Sequence, residues 1–415
     1  MIDKAPPSTS HGLGFAELIA YSACVMALSA LTVDIMLPAQ GLIGADFGRA
    51  DPNDGQLVVF AFLAAYGIVH PFAGPLADRF GRRAVVLGAL AAYALAAALA
   101  AFSPSFALLI AARAGQGLAV GAARVAIMAM VRDEYSGRRM SQVVSIATIV
   151  FMMAPILAPS IGQAILASGS WRAIFVGLLL YAIILAVWTL SRVGETLDPA
   201  ARRRFSLNAA FGSYAEFFRN RASLGYTLVT ALLFGGFFSY LGTAQQIYVD
   251  IFGIGERFPI AFAVGAVPFM AAAILNARIV MKLGMRRIVH AAIIALIAVN
   301  ALHLAVVAAG AESLASFMVL ICATIFLLGL LSPNATAIAL EPMGRIAGAA
   351  AAANGFVTTT CAALIGAFIG RFFDGTTGPL ALGFLALGAA ALFIALATER
   401  GRLFADRSAE AKAAE

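Results

Sequence analysis

The sequence predicts an all-α membrane protein with twelve transmembrane helices, and three observations support this. Hydrophobic residues make up 62% of the 415 residues and charged residues only 12%, whereas soluble domains contain about 25% charged residues. Apolar runs of about 20 residues, the length that crosses a hydrocarbon core, recur along the chain. The charged residues fall mainly in short segments between these runs. Because a helix satisfies its backbone polar groups within one segment, each run is predicted to be helical.

Proline residues, glycine-rich joints and arginine clusters interrupt the apolar runs and set the predicted bounds of the spans. We predict spans at 17–40, 55–74, 84–102, 106–131, 140–167, 172–191, 223–249, 258–277, 287–309, 313–340, 347–370 and 378–398. The polar segment 192–222 is the longest between them and is too short for a soluble domain. It is the predicted linker between a first six-helix bundle, 1–191, and a second, 223–398, with a tail at 399–415.

Asp34 is the only acidic residue that lies well inside a predicted span. It belongs to the segment 31–38 of span one. An unpaired carboxylate in lipid is costly, so this side chain is expected to be protonated, paired or facing water. Asp34 is therefore the candidate proton site. A first span that ended near Val33 would instead leave Asp34 at the membrane interface.

The loop after span two carries the strongest motif of the chain, GPLADRFGRR at 74–83. Its glycines allow a tight turn, its aspartate suits a helix N-terminus or an arginine partner, and its arginines hold the loop at an anionic lipid surface. The motif resembles the cytoplasmic loop signature of the major facilitator superfamily, in which the loop is a charge-relay latch of the outward-facing carrier. A plain basic loop is the alternative. The predicted gating residues are Gly74, Asp78, Arg79, Gly81, Arg82 and Arg83.

This resemblance implies the major facilitator fold, with two pseudo-symmetric six-helix bundles. An internal repeat supports a duplication, since the loop sequence returns as ARIVMKLGMRR at 277–287. Gly81 matches Gly284, and the arginine pair 82–83 matches the pair 286–287. Two halves related by an axis along the membrane normal place a substrate site between them, near the midplane.

The fourth span contains two arginines, Arg113 and Arg124, which lie eleven residues apart and share one helix face. A charge at this depth costs at least about 2.5 kcal/mol and usually faces a cavity or a partner, although snorkelling to the surface is an alternative. Segment 108–121 resembles the arginine motif of the same superfamily, whose arginine is implicated in proton coupling. Arg113 is therefore a predicted proton-coupling residue, and Gln116 and Arg124 are predicted cavity residues.

Spans one and four place their charged residues at similar depth. Asp34 lies roughly 9 Å below the end of span one near Gln40, at about 1.5 Å per residue. Arg113 lies roughly 10 Å below the start of span four near Phe106. Both spans line the cavity in the superfamily architecture, so we expect Asp34 and Arg113 to influence one another in at least one state. Arg124, roughly 27 Å below the same end, is better suited to the cytoplasmic mouth.

Span five contains the run APILAPSIGQ at 154–163, which resembles the antiporter motif of the superfamily. Such a run of glycine and proline lets two helices pack closely and bend. Pro155, Pro159 and Gly162 are the predicted motif residues. The match is partial, because alanine stands at 154 and 158 and glutamine at 163 where the family has glycine. A plain proline-kinked helix is the alternative.

The basic residues predict the orientation of the spans. Of 28 lysines and arginines, 22 fall on the side of the chain termini and two, Arg113 and Arg124, fall within span four. The remaining four lie on the other side, at Arg49, Arg172, Arg257 and Arg371. By the positive-inside rule both termini are cytoplasmic in a multi-pass protein of the bacterial inner membrane. Basic residues in short loops between apolar runs do not indicate nucleic-acid binding.

The last six spans contain fewer polar residues. A mostly apolar pocket is predicted to be lined by Tyr240, Gln245 and Gln246 of span seven and by Asn334 of span ten. Such a pocket suits hydrophobic organic molecules. Aromatic residues in membrane helices also pack against neighbours or face lipid, so this pocket remains one of two interpretations.

Three segments narrow the resemblance to drug:proton antiporters of the Bcr/CflA branch, named for bicyclomycin and chloramphenicol resistance. They are the first-span segment around Asp34, GAARVAIMAMVRDEYSG at 121–137 and SPNATAIALEPMGRIAGAAAA at 332–352. Some relatives carry a second, deeper acid in the first span, which here falls near Met26. Its absence leaves the proton stoichiometry open and does not favour cationic substrates.

The sequence therefore predicts a secondary active exporter of small organic molecules or drugs, driven by proton entry. A proton-coupled uptake carrier and a non-transporting, carrier-like receptor are the alternatives, since fold does not fix function. No catalytic, ATP-binding or metal-ligand motif occurs in a credible context, so we expect no enzyme activity, no metal and no cofactor besides the coupling proton. The expected partners are lipid, protons and a small-molecule substrate, and the expected state is a monomer.

Overall fold

The computed structural model describes residues 13–202 and 207–404, and these residues form helices joined by short turns. The helices are α1 Phe15–Asp34, α2 Gln40–Asp46, α3 Leu57–Ile68, α4 His70–Phe80, α5 Arg82–Ala101, α6 Phe106–Glu134, α7 Gly137–Ser168, α8 Arg172–Arg192, α9 Leu207–Arg219, α10 Arg221–Gln245, α11 Phe258–Leu283, α12 Met285–Ala308, α13 Leu314–Leu340, α14 Ala347–Gly370 and α15 Gly378–Thr398. Five of the basic residues used for the orientation lie outside the described residues, as do parts of the predicted first bundle, linker and tail. These five are Lys4, Arg203, Arg204, Arg407 and Lys412.

Within the described residues, nine helical stretches are long and apolar enough to cross a membrane, and a bent pair raises the number to ten. One of the nine, Leu314–Gly370, contains both α13 and α14. The 32-residue helix α7 contains a further apolar stretch, Met153–Ala167. The prediction of an all-α, multi-pass membrane protein is confirmed, and these stretches are consistent with twelve spans.

Two of the predicted spans are broken at prolines. Span one stops as α1 at Asp34, because Pro38 has no N–H to donate to the Asp34 carbonyl, and a short 3-10 turn at Leu37–Ala39 leads into α2. Span two bends by 52° between α3 and α4. Pro71 likewise cannot donate to the Gly67 carbonyl. Nδ1 of His70 lies 3.2 Å from this freed oxygen.

The helices pack in a pattern that occurs twice. In the first six spans α1 packs on α7, α3 and α5 pack on α6, and α5 packs on α8. In the last six, α10 packs on α14, α11 and α12 pack on α13, and α12 packs on α15. Between the two sets, α3 packs on α14 and α7 packs on α11. The division of the chain into two bundles at a linker stays a prediction, and this repeated packing accords with it.

Two ends of the molecule are named by their residues below. The basic face is the end that carries the Gly81 and Gly284 turns, α9 and Glu399. The opposite face is the end that carries Asp46, Gln56, Gln246 and Gly370. The spans run alternately between these two ends.

Candidate functional site

A cavity of about 390 Å³ lies between the first six and the last six spans. Helices α1, α3 and α7 form one wall, and α10, α11, α13 and α14 form the other. Among the described residues the lining is mainly apolar and contains eight aromatic rings, those of Phe62, Tyr66, Phe234, Phe237, Phe238, Tyr240, Phe262 and Phe269. Hydroxyl groups come from Ser29, Thr230, Ser332, Thr336, Thr358 and Thr359. The cavity can therefore accept an apolar body and form a few hydrogen bonds to it.

Asp34 is the only charged side chain among the described residues that line the cavity. It is 4% exposed, and it forms no side-chain hydrogen bond or ion pair within the described chain. Its position at the last residue of α1, before the break caused by Pro38, brings the carboxyl group into the cavity wall. A buried carboxyl group without a fixed partner is suited to exchange a proton.

The antiporter-motif residues of α7 surround this break. Pro155 lines the cavity, and Gly162 packs so closely on the backbone after Asp34 that a Cβ there would collide with the Ile35 carbonyl oxygen. Pro159 is buried in α7 between them. The predicted close approach of two helices at this motif therefore involves spans one and five.

Arg113 is fully buried and binds backbone carbonyls from two neighbouring spans. Its Nε donates to the Val58 carbonyl at 2.8 Å, and its Nη2 donates to the Thr32 carbonyl at 3.1 Å. Its Nη1 donates to Oε1 of Gln116 at 2.8 Å. The guanidinium carbon also lies 4.9 Å from the ring centroid of Phe62. These neutral contacts, rather than an acid, satisfy the charge in this conformation.

Asp34 and Arg113 do not form an ion pair in this conformation, but they meet the same helix end. The carbonyl that Arg113 binds belongs to Thr32, two residues before Asp34. The hydroxyl of Thr32 also contacts the hydroxyl of Tyr93 at 2.6 Å. A small rotation of this helix end would change both the Arg113 contact and the position of Asp34. An interaction between the two charges in another state stays a prediction.

Of the other predicted cavity residues, only Tyr240 lines the cavity in this conformation. Gln116 is buried beside Arg113, and Arg124 is half-buried lower on the same helix. Gln245 and Gln246 lie at the opposite face, where α10 ends. Asn334 donates to Oδ1 of Asn276 at 2.6 Å, which joins α13 to α11. A role for these five residues in substrate binding remains a prediction for other conformations.

The predicted gating loop forms a network centred on Arg82, which is 4% exposed. Its guanidinium group donates to Asp78 and, through Nε, to Asp133 at the end of α6 at 3.0 Å. Its backbone N–H donates to Glu195 at 2.8 Å. Gly81 has a φ of 98°, and a Cβ there would collide with the Glu195 carboxylate. The loop is thus fixed to the end of span four and to the start of the linker.

The remaining gating residues contribute less to this network. Arg83 donates to the Leu190 carbonyl at 2.9 Å, and exposed Arg79 lies 5.1 Å above the neighbouring Phe80 ring. Gly74 has open space where a side chain would lie, so packing does not require glycine there.

Sequence reasoning missed the two acids that complete the network, Asp133 and Glu195. Asp133 belongs to the VRDEYSG segment, which was used for family resemblance only. The carboxylate of Glu195 accepts hydrogen bonds from three backbone N–H groups, those of Arg82, Thr196 and Leu197. Its position just after a span, among arginines, was the only signal in the sequence.

The chain resembles known transporters over most of its length. A family model described as Major Facilitator Superfamily (MFS) matches residues 22–370. The chain is 30% identical over 355 residues to a bicyclomycin resistance protein homolog of Haemophilus influenzae, covering 84% of this chain and 87% of that protein. It is 28% identical over 349 residues to an MFS-type transporter of Bacillus subtilis, YdgK, covering 83% and 86%. A multidrug resistance protein of Escherichia coli, MdtL, is 26% identical over 53% of this chain and 55% of its own.

Solved structures show the same fold. The human organic anion transporter MFSD10 superposes with a TM-score of 0.70 and 18% identity over 93% of this chain and 100% of that one. A POT family transporter in complex with 5-aminolevulinic acid superposes with a TM-score of 0.71 and 15% identity over 94% and 96%. The predicted major facilitator fold is therefore confirmed.

Proposed function

Because the chain belongs to the major facilitator superfamily, we propose that it exports small, largely apolar organic molecules in exchange for protons by alternating access. Family membership makes it a carrier rather than an enzyme. One observation carries the proposal: among the described residues that line the aromatic cavity between the two sets of spans, Asp34 carries the only charged side chain. The bicyclomycin and multidrug resistance relatives support export as the direction.

The cavity lining supports an apolar substrate. Eight aromatic rings provide a large nonpolar surface, and the serine and threonine hydroxyls provide hydrogen bonds without charge. A strongly anionic molecule would find no cation among the described lining residues. An apolar or weakly polar organic molecule would lose few hydrogen bonds to water when it enters this cavity, and the burial of its apolar surface is favourable.

Proton exchange is assigned to Asp34. A carboxylate taken out of water without a partner is unfavourable, so proton uptake stabilises it there and water access promotes release. Arg113 is assigned a coupling role, because it binds the helix end that carries Asp34. In the proposed orientation the basic face is cytoplasmic and both chain termini lie there, as the positive-inside rule favours.

The decisive test is Asp34→Asn in inverted membrane vesicles with an imposed pH gradient. The amide keeps the shape but cannot exchange a proton, so gradient-driven drug accumulation should fall to background while the protein still inserts. Asp46→Asn is the matched control, since Asp46 is an exposed acid that pairs with Arg172 at 2.6 Å outside the cavity. Gradient-driven transport that survives in Asp34→Asn would remove this residue from the mechanism.

The Asp34–Arg113 coupling has its own test. A double-mutant cycle of Asp34→Asn and Arg113→Gln on substrate-induced proton release should show non-additive effects, because both changes act on one helix end. Strictly additive effects would contradict the coupling. A comparison of transport into inverted vesicles with transport into right-side-out vesicles distinguishes export from the alternative, which is proton-coupled uptake.

A further inference from the structure

At the opposite face, neutral side chains connect the first six spans to the last six. Nε2 of Gln56 donates to Oε1 of Gln246 at 2.7 Å and to the Gly370 carbonyl at 3.1 Å. Nε2 of Gln246 donates to Oδ1 of Asn53 at 2.9 Å. Nδ2 of Asn53 donates to the Phe373 carbonyl at 3.1 Å. Asn53, Gln56 and Gln246 are called the amide latch below.

The two glutamines of the amide latch are shielded from water, and Asn53 is half-buried at its edge. Gln56 is 3% exposed and Gln246 is 4% exposed. Hydrogen bonds between buried amides depend on alignment, since an unpaired buried amide is unfavourable. The latch is therefore stable when the two sets of spans are in register and is lost as a unit when they separate.

A phenyl ring lies between the latch and the cavity. Phe60 of α3 is 4% exposed and fits into a slot formed by glycines of α10 and α14. A Cβ at Gly242 would lie 2.5 Å from the Phe60 ring, and one at Gly366 would lie 3.0 Å from it. At Gly370 a Cβ would collide with the Gln56 side chain. The ring and the latch thus close the same seam between α3, α10 and α14.

A chain of contacts joins this seam to the cavity. Tyr240 lines the cavity, and its hydroxyl lies 3.1 Å from the hydroxyl of Tyr248. Tyr248 belongs to the π-helical turn Gln246–Ile251 that continues α10, and Gln246 is the first residue of that turn. Single π turns inside helices commonly mark functional positions, because the wider turn changes register readily.

We propose that the amide latch and Phe60 form the gate that seals the cavity at the opposite face, and that the π turn of α10 couples this gate to substrate through Tyr240 and Tyr248. The proposal rests on alternating access, as proposed above. A gate of neutral amides opens without separating buried charges, and none of its own hydrogen bonds is lost by titration. The Arg82 network at the basic face, in contrast, is ionic.

The test uses a single reporter, Thr359→Cys in the cavity wall, in a protein whose Cys24, Cys322 and Cys361 are replaced by alanine. A membrane-impermeant maleimide is added at the opposite face. Gln56→Leu with Gln246→Leu should label about tenfold faster than the reporter alone, because loss of about 1.4 kcal/mol of closed-state stability shifts the equilibrium tenfold.

Gln40→Leu is the matched control. Gln40 is also a buried glutamine at the opposite face, 2% exposed, but neither polar atom of its side chain has a hydrogen-bond partner in the part of the chain that the structure describes. Its replacement should leave the labelling rate unchanged. Equal acceleration in Gln40→Leu, or none in the double variant, would overturn the gate.

A second variant protects the test against misfolding. Gln56→Glu keeps the shape, but an ionised carboxylate cannot donate to the three carbonyl-type acceptors of Gln56, which belong to Asn53, Gln246 and Gly370. Its labelling rate, divided by that of the reporter protein at the same pH, should rise with pH, and a pH-independent ratio contradicts the proposal. Labelling measures access and not transport, so a protein that fails to transport would refute the proposed function while leaving this result readable.

Discussion

Two turns on the basic face, one at Gly81 and one at Gly284, have similar backbone dihedral angles but different side chains. Gly81 has φ and ψ of 98° and 152°, and Gly284 has 80° and 149°. Each precedes a long helix, and each is followed by an arginine that binds acids from later elements. Arg82 binds Asp133 after span four, and Arg286 binds Glu399 after span twelve at 3.1 Å.

The difference lies within the turn itself. Counted from the glycines, Met281 and Met285 occupy the positions of Asp78 and Arg82, and Arg286 lies one residue further along. The sequence match of the arginine pairs was therefore displaced by one residue. Met281 is 90% exposed, whereas the side chain of Asp78 at the same position of the first turn is 40% exposed. Among the described residues, an i, i+4 ion pair that spans the glycine, that of Asp78 and Arg82, occurs at the first turn, and methionines occupy both positions at the second.

The glycine turn and the ionic cluster beside it are therefore separable features. The glycine conformation serves both halves, because a long helix must begin there at a sharp angle. The Asp78–Arg82–Asp133 cluster is an addition to that turn. If the cluster biases conformation, its loss should affect turnover, and loss of the corresponding residue at the second turn should not.

The largest expected effect is that of Arg82→Ala. Removing a buried arginine leaves Asp78 and Asp133 close together without their cation, which biases conformations without touching substrate. Turnover should fall about tenfold or more, with substrate affinity changed less than about threefold. Asp78→Asn should act in the same direction. Transport rates and equilibrium binding, measured on the same preparation, give the two quantities.

Arg286→Ala is the matched control for that result. Arg286 is partly exposed, and its acids belong to later elements rather than to its own turn. Its replacement should lower stability and leave turnover within about threefold. Two outcomes would contradict a conformational bias that comes from the Arg82 cluster alone. One is an equal loss of transport rate in Arg82→Ala and Arg286→Ala, and the other is a loss of substrate affinity in Arg82→Ala as large as its loss of rate.

The sequence anticipated the features that depend on one residue in an apolar run. The Asp34 carboxyl group was expected to be protonated, paired or facing water, or at the interface if the span were shorter; it lies in the cavity wall, and its role in proton exchange stays a prediction. Arg113 was expected to face a cavity or a partner, and it binds carbonyls and Gln116. Composition alone also predicted the helical membrane fold.

Features that depend on partners distant in sequence were not predictable in this way. Gln245 and Gln246 were placed in the cavity because glutamine in a span suggests a binding role, but α10 ends there and Gln246 meets residues of span two. Glu195 binds the Gly81 turn across more than a hundred residues. The helix breaks at Pro38 and Pro71 could have been predicted from the sequence, since each proline removes one helical hydrogen bond.

Replacing the two glycines gives an intermediate effect. Gly81→Ala and Gly284→Ala both force a side chain into a backbone region that costs about 1–3 kcal/mol. Only Gly81→Ala also collides with a neighbour, the Glu195 carboxylate, while Gly284 has open space around it. Both variants should unfold at lower temperature in detergent, and Gly81→Ala at the lower temperature of the two.

A further double variant separates the collision from the backbone strain. Gly81→Ala with Glu195→Ala removes the obstructing carboxylate but also its hydrogen bonds to three N–H groups. Its unfolding temperature should therefore not return to that of Gly284→Ala. A full return would mean that Glu195 contributes only bulk at this turn.

The smallest expected effect comes from rebuilding the first turn in the second. Met281→Asp with Met285→Arg restores the i, i+4 pair of Asp78 and Arg82 at a site where Met281 is 90% exposed. An exposed ion pair contributes about 0–1 kcal/mol and would lack the third member of the first network, an acid placed as Asp133 is. Turnover and unfolding temperature should both stay close to wild type, within about twofold in rate. If this variant instead slowed transport as much as Arg82→Ala, an ion pair at either turn would be enough to bias the conformation. The difference between the two turns in their effect on transport would then have to come from the position of the third residue, an acid from a later helix. At the first turn this acid is Asp133, near the end of α6. At the second it is Glu341, which follows α13 and lies 4.0 Å from Arg286.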